Sequence, residues 1–480
     1  MLTEKLTMLT DFYQLTMMQG YYKSNRADKT AVFDLFYRAN PSGSGYAVFA
    51  GLEQAIRYIE NLRFTNSDLE YLRSLNIFDS SFLEALSGLS FTGEIYALPE
   101  GSVMFAAEPI VRVKARLIEA QLIETALLTI LNHQSLIATK AARVCYAAEG
   151  DPVLEFGLRR AQGPDAGVYG ARAAVIGGCA ATSNVLAGQM FDIAVKGTHG
   201  HSWVMTFGDE YEAFKTYADC FGDSLTLLVD TYNTVKSGVP NAIRVFQEKR
   251  AAGSLPANYG IRLDSGDLAY LSKKARKMLD DAGFPDAKIT ASSDLDEFLI
   301  SQLKLQGAKI NVWGVGTNLI TSGDCPSFGG VYKLSAIEGE GGVLVPKLKI
   351  SENPAKVTIP GVKKLLRFYD KASGKIKADL IALADENFPE NEDLTIFDPN
   401  ATWRRMTLKA GEYTVREMLE PVFAGGKRVH KPKTVAQLRE YCQTEKNSLW
   451  DEYRRLVNPH VLPVDLSLKL FNLKEKMMNE

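Results

Sequence analysis

Five short stretches of this 480-residue chain end in side chains that could do chemistry. "SLTLLVD" ends at Asp230. "YGIRLDSGD" ends in Asp264, Ser265, Gly266 and Asp267, and carries Arg262 two residues before the first aspartate. "KITASSD" ends in Ser292, Ser293 and Asp294, and "INVWGVGT" ends in Gly314, Gly316 and Thr317. "PVLEFG" runs into "LRRAQGPDAG", which holds Arg159. Carboxylates at such positions suit Mg²⁺, which takes one or two carboxylates and fills its remaining positions with substrate phosphates and water. Bare backbone N–H groups in a glycine loop suit a phosphate. Taken singly, each cluster reads as a helix cap or turn. Asp264 and Asp267 cannot both be the one cap of the helix that follows, so at least one is free for other work.

A sixth stretch, "VKGTHGHSWV", holds His199 and His201, two of only five histidines. No HxxxH spacing and no neighbouring cysteine supports zinc. A packed structural imidazole is the expectation for His199. His201 follows a glycine and precedes Ser202 and an apolar run, which reads as a side chain presented to a site. Lys196 is the one residue in the stretch that could be cast as a Schiff-base lysine, the signature of a different phosphosugar enzyme.

These clusters need elements to present them. Each apolar run has strand length and is followed by a helical pattern, such as Leu268, Leu271, Ala275 and Leu279 after the Asp264 cluster, or Leu295, Phe298, Leu299 and Leu303 before Gly307. Repeated strand–loop–helix units put the strand ends on one face of a parallel sheet. An α/β fold is expected, with an irregular TIM-like barrel preferred over an open doubly wound sheet because polar residues follow nearly every strand. Three domains are expected: an α/β sandwich-like domain over 1–120, the barrel over 121–380, and a mainly helical region over 381–480 that packs on the first. "EAQLIETALLTILNHQSLIATKAARV" is expected to be one long amphipathic helix opening the barrel domain.

Composition narrows the class. Apolar residues are 46% and charged residues 23%, with 55 basic against 57 acidic side chains and a net charge of −2. That is an ordinary globular composition, with no field for bulk nucleic-acid binding. Five scattered cysteines without a CxxC imply reduced thiols. The first residues carry no signal-peptide pattern, and no apolar run approaches a bilayer span, so a cytoplasmic location is expected.

"TDFYQLTM", "EFGLRRAQGPDAG", "SNVLAGQ", "GTHGHSWV", "IRLDSGDL" and "NVWGVGTNL", in that order across nearly the whole chain, resemble the nicotinate phosphoribosyltransferase family. The resemblance implies conversion of nicotinate and 5-phosphoribosyl 1-pyrophosphate to nicotinate mononucleotide and pyrophosphate in NAD salvage. It implies ATP as co-substrate through a phosphohistidine, Mg²⁺ as cofactor, and a homodimer with shared sites. By similarity His201 is the phosphohistidine, with Asp230 and Asp264 as catalytic and magnesium-binding carboxylates; a carboxylate on the other ring nitrogen would fix the tautomer of His201, and Asp230 is assigned that role. Tyr13, Arg159, Thr198, Arg262, Ser293, Asp294, Gly316 and Thr317 fall at substrate-binding positions. Nicotinamide-using relatives carry an acid directly after the Gly-Thr pair, where His199 stands here.

Overall fold

The structure is a computed structural model that describes residues 5–222, 224–353 and 356–480. The chain forms two compact units, Lys140–Pro326 and the combination of Met1–Thr139 with Ser327–Glu480.

The Lys140–Pro326 unit is built on six parallel strands: β1 (Val153–Glu155), β2 (Ala181–Thr182), β3 (Ser224–Leu228), β4 (Asn258–Leu263), β5 (Lys288–Ala291) and β6 (Val312–Val315). Their spatial order is β2-β1-β6-β5-β4-β3. The register sets the chemistry-bearing ends level: Leu228 pairs with Arg262, Leu263 with Ala291, Ala291 with Trp313, and Val315 with Glu155. Every strand is therefore followed by its polar cluster at one edge of the sheet, as the strand–loop–helix pattern requires. The strands are nearly continuous apolar runs because helices cover the sheet. Leu227, Leu228, Ile261, Leu263, Ile289, Trp313 and Val315 are all buried.

The expected barrel is only partly formed. Among the described residues no ladder joins β2 to β3, so the sheet is an open half-barrel; a single parallel bridge, Thr182 to Val195, lies in the gap. The stretch before His201 cannot continue as a strand because Gly197 and Gly200 interrupt it, and glycine weakens strands. Gly238 holds the sheet's other edge: a Cβ there would lie 1.8 Å from the Val229 carbonyl oxygen, so only glycine lets the turn Thr234–Gly238 pack on the end of β3.

The domain boundaries differ from the expected 1–120, 121–380 and 381–480. The first and last parts of the chain share a sheet, in which Thr30–Tyr37 lies between Gly330–Glu338 and Val111–Arg116, and Glu420–Ala424 pairs with Glu94–Ala97. The region after 380 is not mainly helical. Strands Ile376–Leu383, Tyr413–Glu417 and Val464–Leu466 join Lys363–Asp370 in a four-stranded sheet, Leu394–Phe397 and Arg405–Leu408 form a hairpin, and helices Val435–Asn447 and Leu468–Asn479 complete the region. One charge of this region is internal: Glu445 is buried beside Arg367 of the preceding strand Lys363–Asp370. Arg367 is fully buried, with Nη2 on Asp379 at 2.7 Å and Nη1 on Glu445 at 3.2 Å.

The long helix exists, as Glu124–Ala147 after a short helix Leu117–Leu122; its first half is amphipathic, with Thr125, Leu128, Thr129, Asn132 and His133 along a partly exposed face, and residues 134–144 are buried all round. Ser135 and Thr139 are buried, and their hydroxyls accept the N–H groups of Ala50 and Val48. In that buried half these two hydroxyls satisfy neighbouring backbone groups in place of water.

Candidate functional site

The edge of the half-barrel gathers most of the residues singled out from sequence into one hydrogen-bonded network. Arg262 is the penultimate residue of β4, so its side chain reaches the edge. Its Nε donates to Ser292 Oγ at 2.7 Å, Nη1 to Thr198 Oγ1 at 2.9 Å and Nη2 to Asp264 Oδ1 at 2.7 Å. Ser292 also donates to Asp264 Oδ1. Asp264 is free to join because Asp267 is the helix cap, accepting the Tyr270 N–H at 2.9 Å ahead of helix Leu268–Asp281. Burial pushes the Asp264 carboxyl up. The Ser292 hydroxyl, Arg262 and His201 outweigh it and hold the group below the usual carboxylate range.

His201 opens the short helix His201–Met205, with Gly200 as its cap. Its Nε2 lies 3.6 Å from Asp264 Oδ2 and its Nδ1 lies 3.2 Å from the Thr231 hydroxyl. The expected pairing with Asp230 is corrected: the carboxylate beside the imidazole is Asp264. Asp230 turns toward β4, where its Oδ2 accepts from the Asp264 N–H at 2.8 Å and from Ser265 Oγ at 2.6 Å. Its Oδ1 is buried without a hydrogen-bond partner.

His199 is the packed imidazole that its sequence setting predicts. It is 7% exposed, and its ring lies against Tyr217 at 4.7 Å and Phe214 at 6.0 Å. Nε2 accepts the Leu228 N–H at 3.2 Å, so that nitrogen carries a lone pair. Burial, together with the nearby Arg262 and His201, pushes its pKa down to about 4. The two histidines face opposite ways: His199 anchors the loop to β3 and His201 faces the site.

A cavity of about 280 Å³ opens beside the network, lined by Phe156, Leu158, Arg159, Ser183, Thr198 and Arg262. The Arg262 guanidinium carbon lies 5.7 Å from the centre of the Phe156 ring. Arg159 is exposed on the turn Leu158–Arg160 that follows β1. Phe156 and Thr231 carried no signal by type in the sequence. Their only clue was adjacency, since each follows directly on a strand-end carboxylate, Glu155 or Asp230.

The remaining candidates sit on the next two loops. Ser293 has φ +124°, far outside the usual range for a residue with a Cβ. Such strain concentrates at functional sites. Asp294 is exposed and not the cap of helix Glu297–Leu305; that role falls to Asp296. Gly316 and Thr317 begin the four-residue helix Thr317–Ile320. Asn318 ties the two loops together, its Nδ2 donating to the carbonyls of Asp294 and Leu295 at 3.2 and 3.3 Å. A Cβ at Gly316 would lie 3.3 Å from the Phe156 carbonyl, which keeps this loop close to β1. Tyr13 belongs to the other unit, on helix Phe12–Lys23, and about half of it is exposed.

Three family models match successive parts of the chain: the nicotinate phosphoribosyltransferase N-terminal domain over residues 8–132, the nicotinate phosphoribosyltransferase family over 152–359, and the nicotinate phosphoribosyltransferase C-terminal domain over 362–474. The chain belongs to the nicotinate phosphoribosyltransferase family. It is 50% identical over 477 residues to nicotinate phosphoribosyltransferase of Bacillus subtilis, covering 99% of this chain and 96% of that protein. It is 33% identical over 529 residues to nicotinate phosphoribosyltransferase of Mus musculus, covering 98% and 96%. Among solved structures, human nicotinic acid phosphoribosyltransferase superposes with a TM-score of 0.85 at 31% identity, covering 98% of this chain and 99% of that one. No helix among the described residues is long and apolar enough to cross a membrane.

Proposed function

We infer that this protein is a nicotinate phosphoribosyltransferase of NAD salvage, and that the network around Arg262 is where the base and its activating histidine meet. The observation that carries the reading is the Thr198–Arg262–Asp264–His201 chain at the sheet edge, beside a cavity with an aromatic wall. A guanidinium has five N–H donors, and three are engaged here, so two remain for the nicotinate carboxylate. The Phe156 ring offers a face to the pyridine. The ring nitrogen already carries a lone pair at neutral pH, so transfer needs no base. It attacks the anomeric carbon of 5-phosphoribosyl 1-pyrophosphate as the bond to pyrophosphate breaks.

The same reading makes His201 the phosphoacceptor for ATP. Asp264 beside Nε2 holds the proton there and stabilises the imidazolium charge that develops. Nδ1, facing Thr231, is then the nucleophile: an N–P bond forms to the γ-phosphorus and ADP leaves. Asp230 suits Mg²⁺, because a buried carboxylate oxygen without a partner is a ready ligand, with Asp264 near it. Bound there, Mg²⁺ would neutralise phosphate charge. Ser293, Asp294, Gly316 and Thr317 are assigned to the phosphoribosyl group and Arg159 to the cavity rim. The reading also includes closure of the half-barrel into an irregular barrel, a cytoplasmic homodimer, and Tyr13 reaching the partner's site.

Product analysis with nicotinate, nicotinamide and quinolinate, each with and without ATP, tests the proposal. Nicotinate mononucleotide from nicotinate, formed faster with ATP, is the expected result. Product from quinolinate or nicotinamide alone would refute it.

A further inference from the structure

Asp465 is 3% exposed, yet its carboxylate has no hydrogen bond and no ion pair among the described residues. It stands on the strand Val464–Leu466, beside Ile376–Leu383, far in sequence from the half-barrel. Its oxygens are not enclosed like those of Asp34 and Glu297; they reach the cleft and are open to a ligand. Burial, with Asp398 nearby, pushes its pKa up to about 6. Asp465 lines a cleft of about 510 Å³ that belongs wholly to the unit of Met1–Thr139 and Ser327–Glu480. That volume is in the range of small-molecule sites.

The rest of the cleft gives it a character. Phe105, Leu462 and Pro463 supply an apolar wall. Arg404 and Arg405, at the loop end of the hairpin formed by Leu394–Phe397 and Arg405–Leu408, supply positive charge. Both arginines are exposed, and the Arg404 guanidinium has no partner among the described residues. Asp398 is already committed, its Oδ1 accepting the Asn400 N–H at 2.8 Å. The cleft thus pairs one unused acceptor with a cationic rim across an apolar surface.

We propose that this cleft is a second small-molecule site, for a flat base with adjacent N–H donors and an anionic tail, and that a guanine nucleotide is the class that fits. A carboxylate accepts two parallel N–H bonds, which the N1–H and N2–H edge of guanine presents. The phosphate lies with the arginines and the ring covers the apolar wall. No lining residue belongs to the half-barrel unit.

Equilibrium binding of GMP to the full chain by calorimetry tests this. Wild type is expected to bind GMP saturably, and AMP more weakly. Asp465→Asn should weaken GMP by at least ~10-fold, from loss of a charged hydrogen bond. Its melting temperature should be unchanged or higher, because the carboxylate has no partner in the fold to lose; a merely structural Asp465 would lower it. Arg404→Ala with Arg405→Ala, on an exposed hairpin, should weaken GMP but not guanosine. His201→Ala should leave binding intact. No saturable binding at millimolar GMP, equal binding of AMP, binding unchanged in both cleft variants, or binding lost in His201→Ala would each overturn the proposal.

Discussion

Replacing Arg262 by lysine keeps the charge and removes the fork, so it isolates what geometry contributes to base selection. In the structure Arg262 fixes Ser292, Thr198 and Asp264 with three donors and leaves two for substrate. Lysine can point its ammonium at Asp264 or at the nicotinate carboxylate, but cannot span both. The variant therefore loses at least one charge-assisted bond to the acid, about 1.5–3 kcal/mol, or roughly 10- to 150-fold. Damage to the supporting network falls on every substrate alike, so it cancels in a ratio. The assay is steady-state kcat/KM for nicotinate and for nicotinamide on both proteins. The acid-to-amide ratio should fall by roughly 10- to 150-fold in Arg262→Lys. An unchanged ratio, even with both rates reduced, would refute the assignment of Arg262 to the carboxylate.

Two further outcomes follow from particular contacts, and a third from the proposed homodimer. The Ser292 hydroxyl is the leading influence that lowers the Asp264 carboxyl, so Ser292→Ala should raise it; as pH falls, activity should then be lost at a higher pH than in wild type, read from pH–rate profiles. The His199 pKa is lowered in the fold, so its stabilising effect is complete above the unfolded value near 6.5 and is lost as pH falls toward about 4; that loss is on the order of 3 kcal/mol, and denaturant titrations of His199→Gln should lack it. Mixing Tyr13→Ala with His201→Ala chains should restore some activity in hybrid dimers if the partner completes the site, and fully exchanged hybrids that stay dead would place the site within one chain.

What could be read in the sequence was whatever repeats locally. Strand, loop and helix recur along 153–320, and the surplus carboxylate in "LDSGD" meant that one of Asp264 and Asp267 was free; the structure makes Asp267 the cap. The contrast between His199 and His201 was also visible, from the residues flanking each. Long-range pairing was not. Nothing local shows that Asp264 rather than Asp230 faces His201, because both end parallel strands and the choice depends on which way each carboxylate turns. The sheet shared by 30–37 and 420–424 joins residues nearly a chain length apart, so neither segment carries a mark of the other. The helical expectation after 380 missed the strand Tyr413–Glu417, whose partner Lys363–Asp370 lies far from it in the sequence. Inside, Glu445 of this region pairs with the buried Arg367, which also holds Asp379.

The central claim is that His201 accepts the phosphoryl group of ATP with Asp264 behind it. Incubation with γ-³²P-labelled ATP and Mg²⁺, followed by acid and base treatment, tests it directly. Wild type should carry an acid-labile, base-stable label that maps to the peptide around His201. His201→Ala should carry none and retain slow, ATP-independent formation of nicotinate mononucleotide, while His199→Gln should still label. Full labelling of His201→Ala, or a label lost only when His199 is replaced, would contradict the account.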